Sequence, residues 1–152
     1  MLYLDTSALV KRYVREPGSE GVDTLIATAG VVTTVTVARA EAAAAFAKAA
    51  RIGSLTTDRA RACHKAFVRE WKDYVRVRVT EALVARAGDV AWVHHLRGYD
   101  AIHLAAALEW QDRVGEAVTV CTFDRELWHA CGEAGLERRP ASLDVSRNRR
   151  PS

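Results

Sequence analysis

The chain has 152 residues, 49% of them hydrophobic, and a formal net charge of +3. That is one domain's worth of chain, with enough apolar material to bury roughly two thirds of the surface it exposes when unfolded, so neither a disulfide nor a structural metal is needed for folding. No stretch approaches the run of about twenty apolar residues that crosses a bilayer, and Met1–Leu4 leads straight to Asp5 without a basic or long apolar leader, so no membrane span and no signal peptide are expected.

Met1 to Leu4 reads as a short buried strand. Thr6 to Val14 has Leu9, Val10 and Tyr13 at helical spacing, and Pro17-Gly18 stops that helix. Ser19 is read as the cap of a second helix, with Val22, Leu25 and Ile26 on one face and Gly30 at its end. Val31 to Val35 is β-branched throughout and reads as a second strand. The alanine-rich stretch from about Thr36 to Ile52 favours a long helix capped by Gly53. Thr57 and Asp58 open another, whose stripe is expected to hold Ala62, Ala66, Phe67 and Trp71. Val75 to Val79 alternates valine with Arg76 and Arg78, the period of a strand with one buried face. Thr80 to Leu96 is helical and closed by Gly98. Asp100 then starts a strongly apolar helix, Ala101 to Trp110. Ala117 to Cys121 is a strand, Asp124 to Ala134 a helix stopped by Gly135, and Leu136 to Arg139 a last short strand. Strands alternating with helices imply an α/β fold with a parallel sheet covered on both faces.

The charge is unevenly placed. Residues 138–152 hold five arginines and one acid, Asp144, which leaves 17 bases against 18 acids in the rest of the chain. Such a tail either holds a polyanion or is a solvated, flexible end. Cys63, Cys121 and Cys131 are odd in number, lie in apolar segments and lack metal-ligand spacing, so they read as reduced core residues of a cytoplasmic protein.

Four acids occupy informative places. Asp5 follows the first strand, Asp124 lies just beyond the Cys121 strand, Asp100 sits at a helix start, and Glu41 lies in an otherwise apolar helix after the second strand. In open parallel sheets, sites form beyond the carboxyl ends of the strands, and right-handed crossovers bring those ends to one side. Asp5, Asp100 and Asp124 taken singly could be helix N-caps, and Glu41 a solvated residue. Taken together, four converging carboxylates repel one another and call for protonation or for a hard divalent cation, Mg²⁺ or Mn²⁺.

These segments carry a resemblance. Tyr3-Leu4-Asp5-Thr6-Ser7-Ala8-Leu9-Val10-Lys11 resembles the opening of PIN domains, especially VapC-type toxins. Thr36 to Glu41, Tyr99 to Ala107 and Thr122 to Leu127 resemble the family's later motifs in the same order, so the likeness extends to about residue 139. It implies a PIN domain over residues 1–139 with a three-layer α/β/α fold around a mainly parallel sheet, leaving 140–152 as a basic, flexible tail. It implies a Mg²⁺- or Mn²⁺-dependent endoribonuclease in which Asp5, Glu41, Asp100 and Asp124 carry catalysis and the metal, with Ser7 and Thr122 as supporting hydroxyls. The implied products are a 5′-phosphate and a 3′-hydroxyl. It further implies a homodimer held inactive by a VapB-type antitoxin. The arginine-rich tail beyond Pro140 is the least typical part.

For RNA binding, Lys11, Arg12 and Arg15 follow the Asp5 motif on the first helix and could line the groove, and Arg76 with Arg78 forms another basic pair. Each group could equally be a solvated face. Trp71 and Tyr74 suit core or interface better than base stacking. His103 could be a general acid, but its apolar setting favours a packed, hydrogen-bonded histidine. Two other readings stay open. One is a catalytically silent PIN-like domain that binds RNA or protein. The other is an aspartyl-phosphate phosphotransfer protein, against which stands Ser7 where the haloacid-dehalogenase pattern has a second aspartate.

Overall fold

A computed structural model describes residues 1–143. Five strands run in chain order: β1 (Leu2–Leu4), β2 (Val32–Val35), β3 (Val75–Val77), β4 (Thr119–Cys121) and β5 (Glu137–Arg139). Seven helices join them: α1 (Thr6–Lys11), α2 (Ser19–Thr28), α3 (Ala38–Arg51), α4 (Thr57–Glu70), α5 (Glu81–His94), α6 (Gly98–Val114) and α7 (Arg125–Glu133). The strand order is β3-β2-β1-β4-β5 and every neighbouring pair is parallel. The first two crossovers step from β1 towards β3, and the next two step back across the sheet. Right-handed connections therefore put α1–α4 on one face and α5–α7 on the other, which is the expected three-layer arrangement.

The order reverses at β1, whose neighbours are β2 and β4. A parallel sheet has a crevice at such a switch point, outside the carboxyl ends of the two strands that diverge there. Asp5 leaves β1 and Thr122-Phe123-Asp124 leaves β4 at that crevice. Leu2, Tyr3, Leu4, Val120 and Cys121 are buried on the central strands, and Leu9, Phe46, Phe67, Leu83, Leu104 and Leu127 close the two helical layers over them. The Thr34 hydroxyl donates to the Leu4 carbonyl at 2.8 Å, fastening β2 to β1 immediately before Asp5. Cys63, Cys121 and Cys131 are all free and buried. No helix among the described residues is long and apolar enough to cross a membrane.

Several local expectations need correction. Ser19 does not cap α2. Gly18 does so at φ +96°, while the Ser19 hydroxyl accepts from the Glu16 amide and donates to the Val14 carbonyl, tying the preceding turn. Gly98 does not close α5. His95, at φ +55°, ends that helix, and Gly98 opens α6. Asp100 therefore lies inside the first turn rather than at a cap. The buried stripe of α4 is Ala60, Cys63 and Phe67, with Ala62 exposed. The last strand forms as expected, with Arg138 and Arg139 in β5: the Arg138 guanidinium lies 3.5 Å from the Trp128 ring centre and donates to the Trp128 carbonyl. The remaining tail residues that carry charge, Asp144, Arg147, Arg149 and Arg150, lie outside the described residues.

Gly18 also has a packing role. A Cβ built there would stand 2.5 Å from Cε1 of Phe123, on the loop that carries Asp124. Gly53 shares the left-handed backbone, at φ +77°, but faces open space. Gly53→Ala is expected to cost about 1–2 kcal/mol, the backbone penalty alone. Gly18→Ala should cost clearly more in urea denaturation because Phe123 must move; equal losses would contradict the contact.

Candidate active site

Asp5 is the centre of the crevice. Its carboxylate is only 4% exposed, because β1 delivers it at the edge of the core. A buried carboxylate needs donors. The Ser7 hydroxyl donates to both of its oxygens at 2.8 and 2.9 Å, the Ala8 amide donates to Oδ1 at 2.9 Å, and the Thr122 hydroxyl donates to Oδ2 at 2.9 Å. Asp5 is thus the N-cap of α1 as well as the anchor of the loop after β4. Burial pushes its pKa up, against the opposing pull of these hydrogen bonds.

The two hydroxyls each serve twice. Ser7 Oγ accepts from the Phe123 amide at 2.8 Å, and Thr122 Oγ1 accepts from the Asp124 amide at 3.1 Å. Asp124 is consequently held one hydroxyl away from Asp5. It caps α7 through Oδ1, which accepts from the Leu127 amide at 3.0 Å, and its Oδ2 lies 3.5 Å from Arg97 Nη2. Asp100, in the first turn of α6, has its pKa raised by burial, then by the charges of Asp124 and, more weakly, Asp5. Asp100 and Asp124 also share one guanidinium, since Arg97 Nε lies 3.4 Å from Asp100 Oδ2.

Glu41 lies in the first turn of α3, which begins two residues later than the sequence pattern suggests. It is engaged elsewhere. Its Oε2 accepts from the Thr6 hydroxyl at 2.8 Å and from His103 Nε2 at 2.8 Å. The other nitrogen of His103, Nδ1, is 3.0 Å from the hydroxyl of Tyr3. Tyr3 is fully buried and its pKa lies well above the ordinary value, through burial and the nearby charges of Asp5 and Glu41, so its hydroxyl keeps its proton. Because the Glu41 carboxylate can only accept, His103 carries a proton on Nε2. Burial alone would raise the Glu41 pKa, but the hydrogen bonds from His103 and Thr6 hold it below the usual carboxylate range.

Among the described residues, no three His, Cys, Asp or Glu side chains already stand together as a ready metal cage. The acids are linked through hydroxyls, an imidazole and one guanidinium. That guanidinium, Arg97, was not singled out by the sequence, although its place three residues before Asp100 is the spacing of a helical ion pair. Tyr3, Thr6 and the Glu41 contact of His103 were likewise missed, since nothing in a linear pattern shows which carboxylate a buried histidine meets.

The basic residues expected to hold RNA are already paired. Lys11 meets Glu16 at 2.8 Å and lies over the Phe123 ring, Arg12 meets Glu70 at 2.8 Å, and Arg15 meets Asp23 at 2.7 Å. Arg76 donates to the Trp71 carbonyl. Trp71 and Tyr74 are buried, as expected of core residues.

The PIN domain family model matches residues 2–133. Ribonuclease VapC45 of Mycobacterium tuberculosis is 33% identical over 144 residues, which cover 95% of this chain and 98% of that protein. The chain belongs to the PIN-domain family. The same fold is seen in crystal structures at low identity. VapC20 of M. tuberculosis, a sarcin-ricin loop cleaving toxin, is 20% identical with a TM-score of 0.61, over 90% of this chain and 96% of its own. VapBC2 from Rickettsia felis, bound to a fragment of promoter DNA, is 13% identical with a TM-score of 0.59, over 91% of this chain and 97% of its own.

The raised pKa of Asp100 in this PIN domain has a consequence for stability. Its ionisation is less favourable in the folded than in the unfolded chain. Its contribution to stability is complete below the unfolded value and is lost as pH rises through the folded one. At pH 7, without divalent ions, Asp100→Asn should therefore raise the melting midpoint. A lower midpoint in calorimetry would show that the Asp100 charge is stabilising instead.

Proposed function

We propose that this PIN domain is a metal-dependent endoribonuclease that hydrolyses RNA phosphodiester bonds and serves as the toxin of a type II toxin–antitoxin pair. Family membership and the identity to Ribonuclease VapC45 across nearly both whole chains support RNA cleavage. The observation that carries the metal-dependent form is the state of Asp5: a buried carboxylate fixed by three donors, with Asp124 tied to it through Thr122 and Asp100 sharing Arg97 with Asp124.

The donor set fits a hard divalent ion, Mg²⁺ or Mn²⁺, because it consists of carboxylate oxygens, while burial pushes the nearby Cys121 and Cys131 thiols up to about 12, so they stay protonated, and the one imidazole is spent on Glu41. Asp5, Asp100 and Asp124 would hold it, with Glu41 acting through a water. Such an ion supplies an activated water near neutral pH and offsets the charge of a phosphodiester. Ser7, Ala8 and Thr122 keep the Asp5 oxygens aimed into the crevice, so the site does not have to be ordered afresh at each turnover. The Asp124 amide bond to Thr122 holds the second carboxylate in register with the first. His103 and Thr6 keep Glu41 ionised and oriented, and Tyr3 holds the other imidazole nitrogen.

A VapB-type antitoxin is proposed as the partner, supported by the fold shared with the VapBC2 structure. A homodimer is proposed likewise; Trp92 and Val93, 85% and 70% exposed on α5, are apolar side chains whose covering it would explain. A silent PIN-like domain is the second reading, favoured by the lack of a ready metal cage among the described residues.

Cleavage of structured RNA separates the two. Wild-type protein should cut in Mg²⁺ or Mn²⁺, stop on chelation, and leave 5′-phosphate ends. Asp5→Asn should lose at least about 100-fold, the scale expected when an oriented charged group leaves a site of this kind. Equal cutting by both proteins, or cutting that survives chelation, would rule out the nuclease reading.

A further inference from the structure

We propose that Arg97 is the resident counter-cation of this site: it competes with the divalent ion for Asp100 and Asp124 and, once displaced, holds an RNA phosphate at the rim. The inference rests on the metal-dependent reading above. Arg97 Nε lies 3.4 Å from Asp100 Oδ2, Nη2 lies 3.5 Å from Asp124 Oδ2, and Nε lies 3.7 Å from Glu126 Oε2. One guanidinium therefore spans acids from two helices, α6 and α7. Among the described residues, no other lysine or arginine comes within ion-pair distance of Asp100 or Asp124.

The geometry is that of a replaceable occupant. A structural arginine–carboxylate pair is short, about 2.7–2.9 Å, often bidentate, and packed. All three Arg97 contacts are longer, and its side chain is 72% exposed. Its backbone is fixed as the N-cap of α6, without a side-chain capping bond, so the head group can swing while its root stays in place. The attraction of two facing carboxylates holds it over the crevice. A divalent ion brings twice the charge to the same oxygens, and like-charge repulsion then turns the guanidinium outward. Outward from Asp100 and Asp124 is the solvent side, where a phosphate must arrive. Arginine matches phosphate oxygens with its planar fork. Lys11, Arg12 and Arg15 are paired with other carboxylates, whereas Arg97 already meets the acids of this site.

The test is a Mn²⁺ titration of the full chain by electron paramagnetic resonance, for wild type, Arg97→Gln, Arg97→Lys, Arg125→Gln and Asp100→Asn. Arg125 is exposed beside Asp124 in sequence and makes no ion pair among the described residues, so it reports the effect of removing any nearby positive charge. Arg97→Gln should tighten the Mn²⁺ Kd by about tenfold, Arg125→Gln by less than about threefold, and Arg97→Lys should stay near wild type. At saturating Mn²⁺, Arg97→Gln should lose RNA cleavage through KM more than through kcat, with partial rescue by lysine. Equal shifts for Arg97→Gln and Arg125→Gln, weaker Mn²⁺ binding by Arg97→Gln, or an unchanged KM would each overturn the role of Arg97 while leaving the nuclease reading intact. A wild type that binds Mn²⁺ no better than Asp100→Asn would overturn both.

Discussion

A carboxylate buried at the end of the central strand must find its hydrogen-bond donors locally, and the way Asp5 does so organises the rest of the site. Desolvation of an unpartnered charge is costly enough to unfold a small domain. The donors come from α1, through Ser7 and the Ala8 amide, and from the loop after β4, through Thr122. Because the same two hydroxyls also receive the Phe123 and Asp124 amides, satisfying Asp5 fixes where the fourth acid stands. The switch point of the sheet supplies the crevice; the hydrogen-bonding needs of one side chain set its geometry.

Placing several acids in that crevice leaves it short of positive charge. The shortage is met differently on its two sides. Glu41 is paired with a buried imidazole whose other nitrogen meets Tyr3, a packed and directional arrangement. Asp100 and Asp124 are met by an exposed arginine at longer range. The first side is built to stay as it is and the second to change occupant. A site designed only for stability would have replaced these charges with apolar contacts. Burial opposes the ionisation of Asp5, and the retention of an acid there supports the role proposed for it.

Much of this was legible in the sequence. The alternation of β-branched runs with alanine-rich helices indicated a parallel sheet, and the placement of Asp5 and Asp124 directly after strands indicated one shared edge. Helix boundaries were less legible where backbone geometry overrides composition. Gly98 opens a helix rather than closing one because His95 already takes the left-handed position, and that moves Asp100 from a cap into a first turn. The role of Arg97 was hidden because its partners on α7 lie far along the chain, and a local pattern shows only the Asp100 half of the contact. Lys11, Arg12 and Arg15 look like a basic helical face in sequence; folding supplies Glu16, Glu70 and Asp23 as their partners. The arginine-rich end divides in the same way, with Arg138 spent on Trp128 inside the domain.

The proposed nuclease chemistry requires that Asp5, Asp100 and Asp124 close around a divalent cation. Crystals of the wild-type protein grown with Mn²⁺, measured for anomalous scattering at the manganese edge, test it most directly. A peak is expected in the crevice within about 2.0–2.4 Å of oxygens from at least two of these aspartates, the bond lengths hard cations adopt. A clear map at saturating Mn²⁺ with no peak there, or with manganese bound only at other carboxylates, would contradict it.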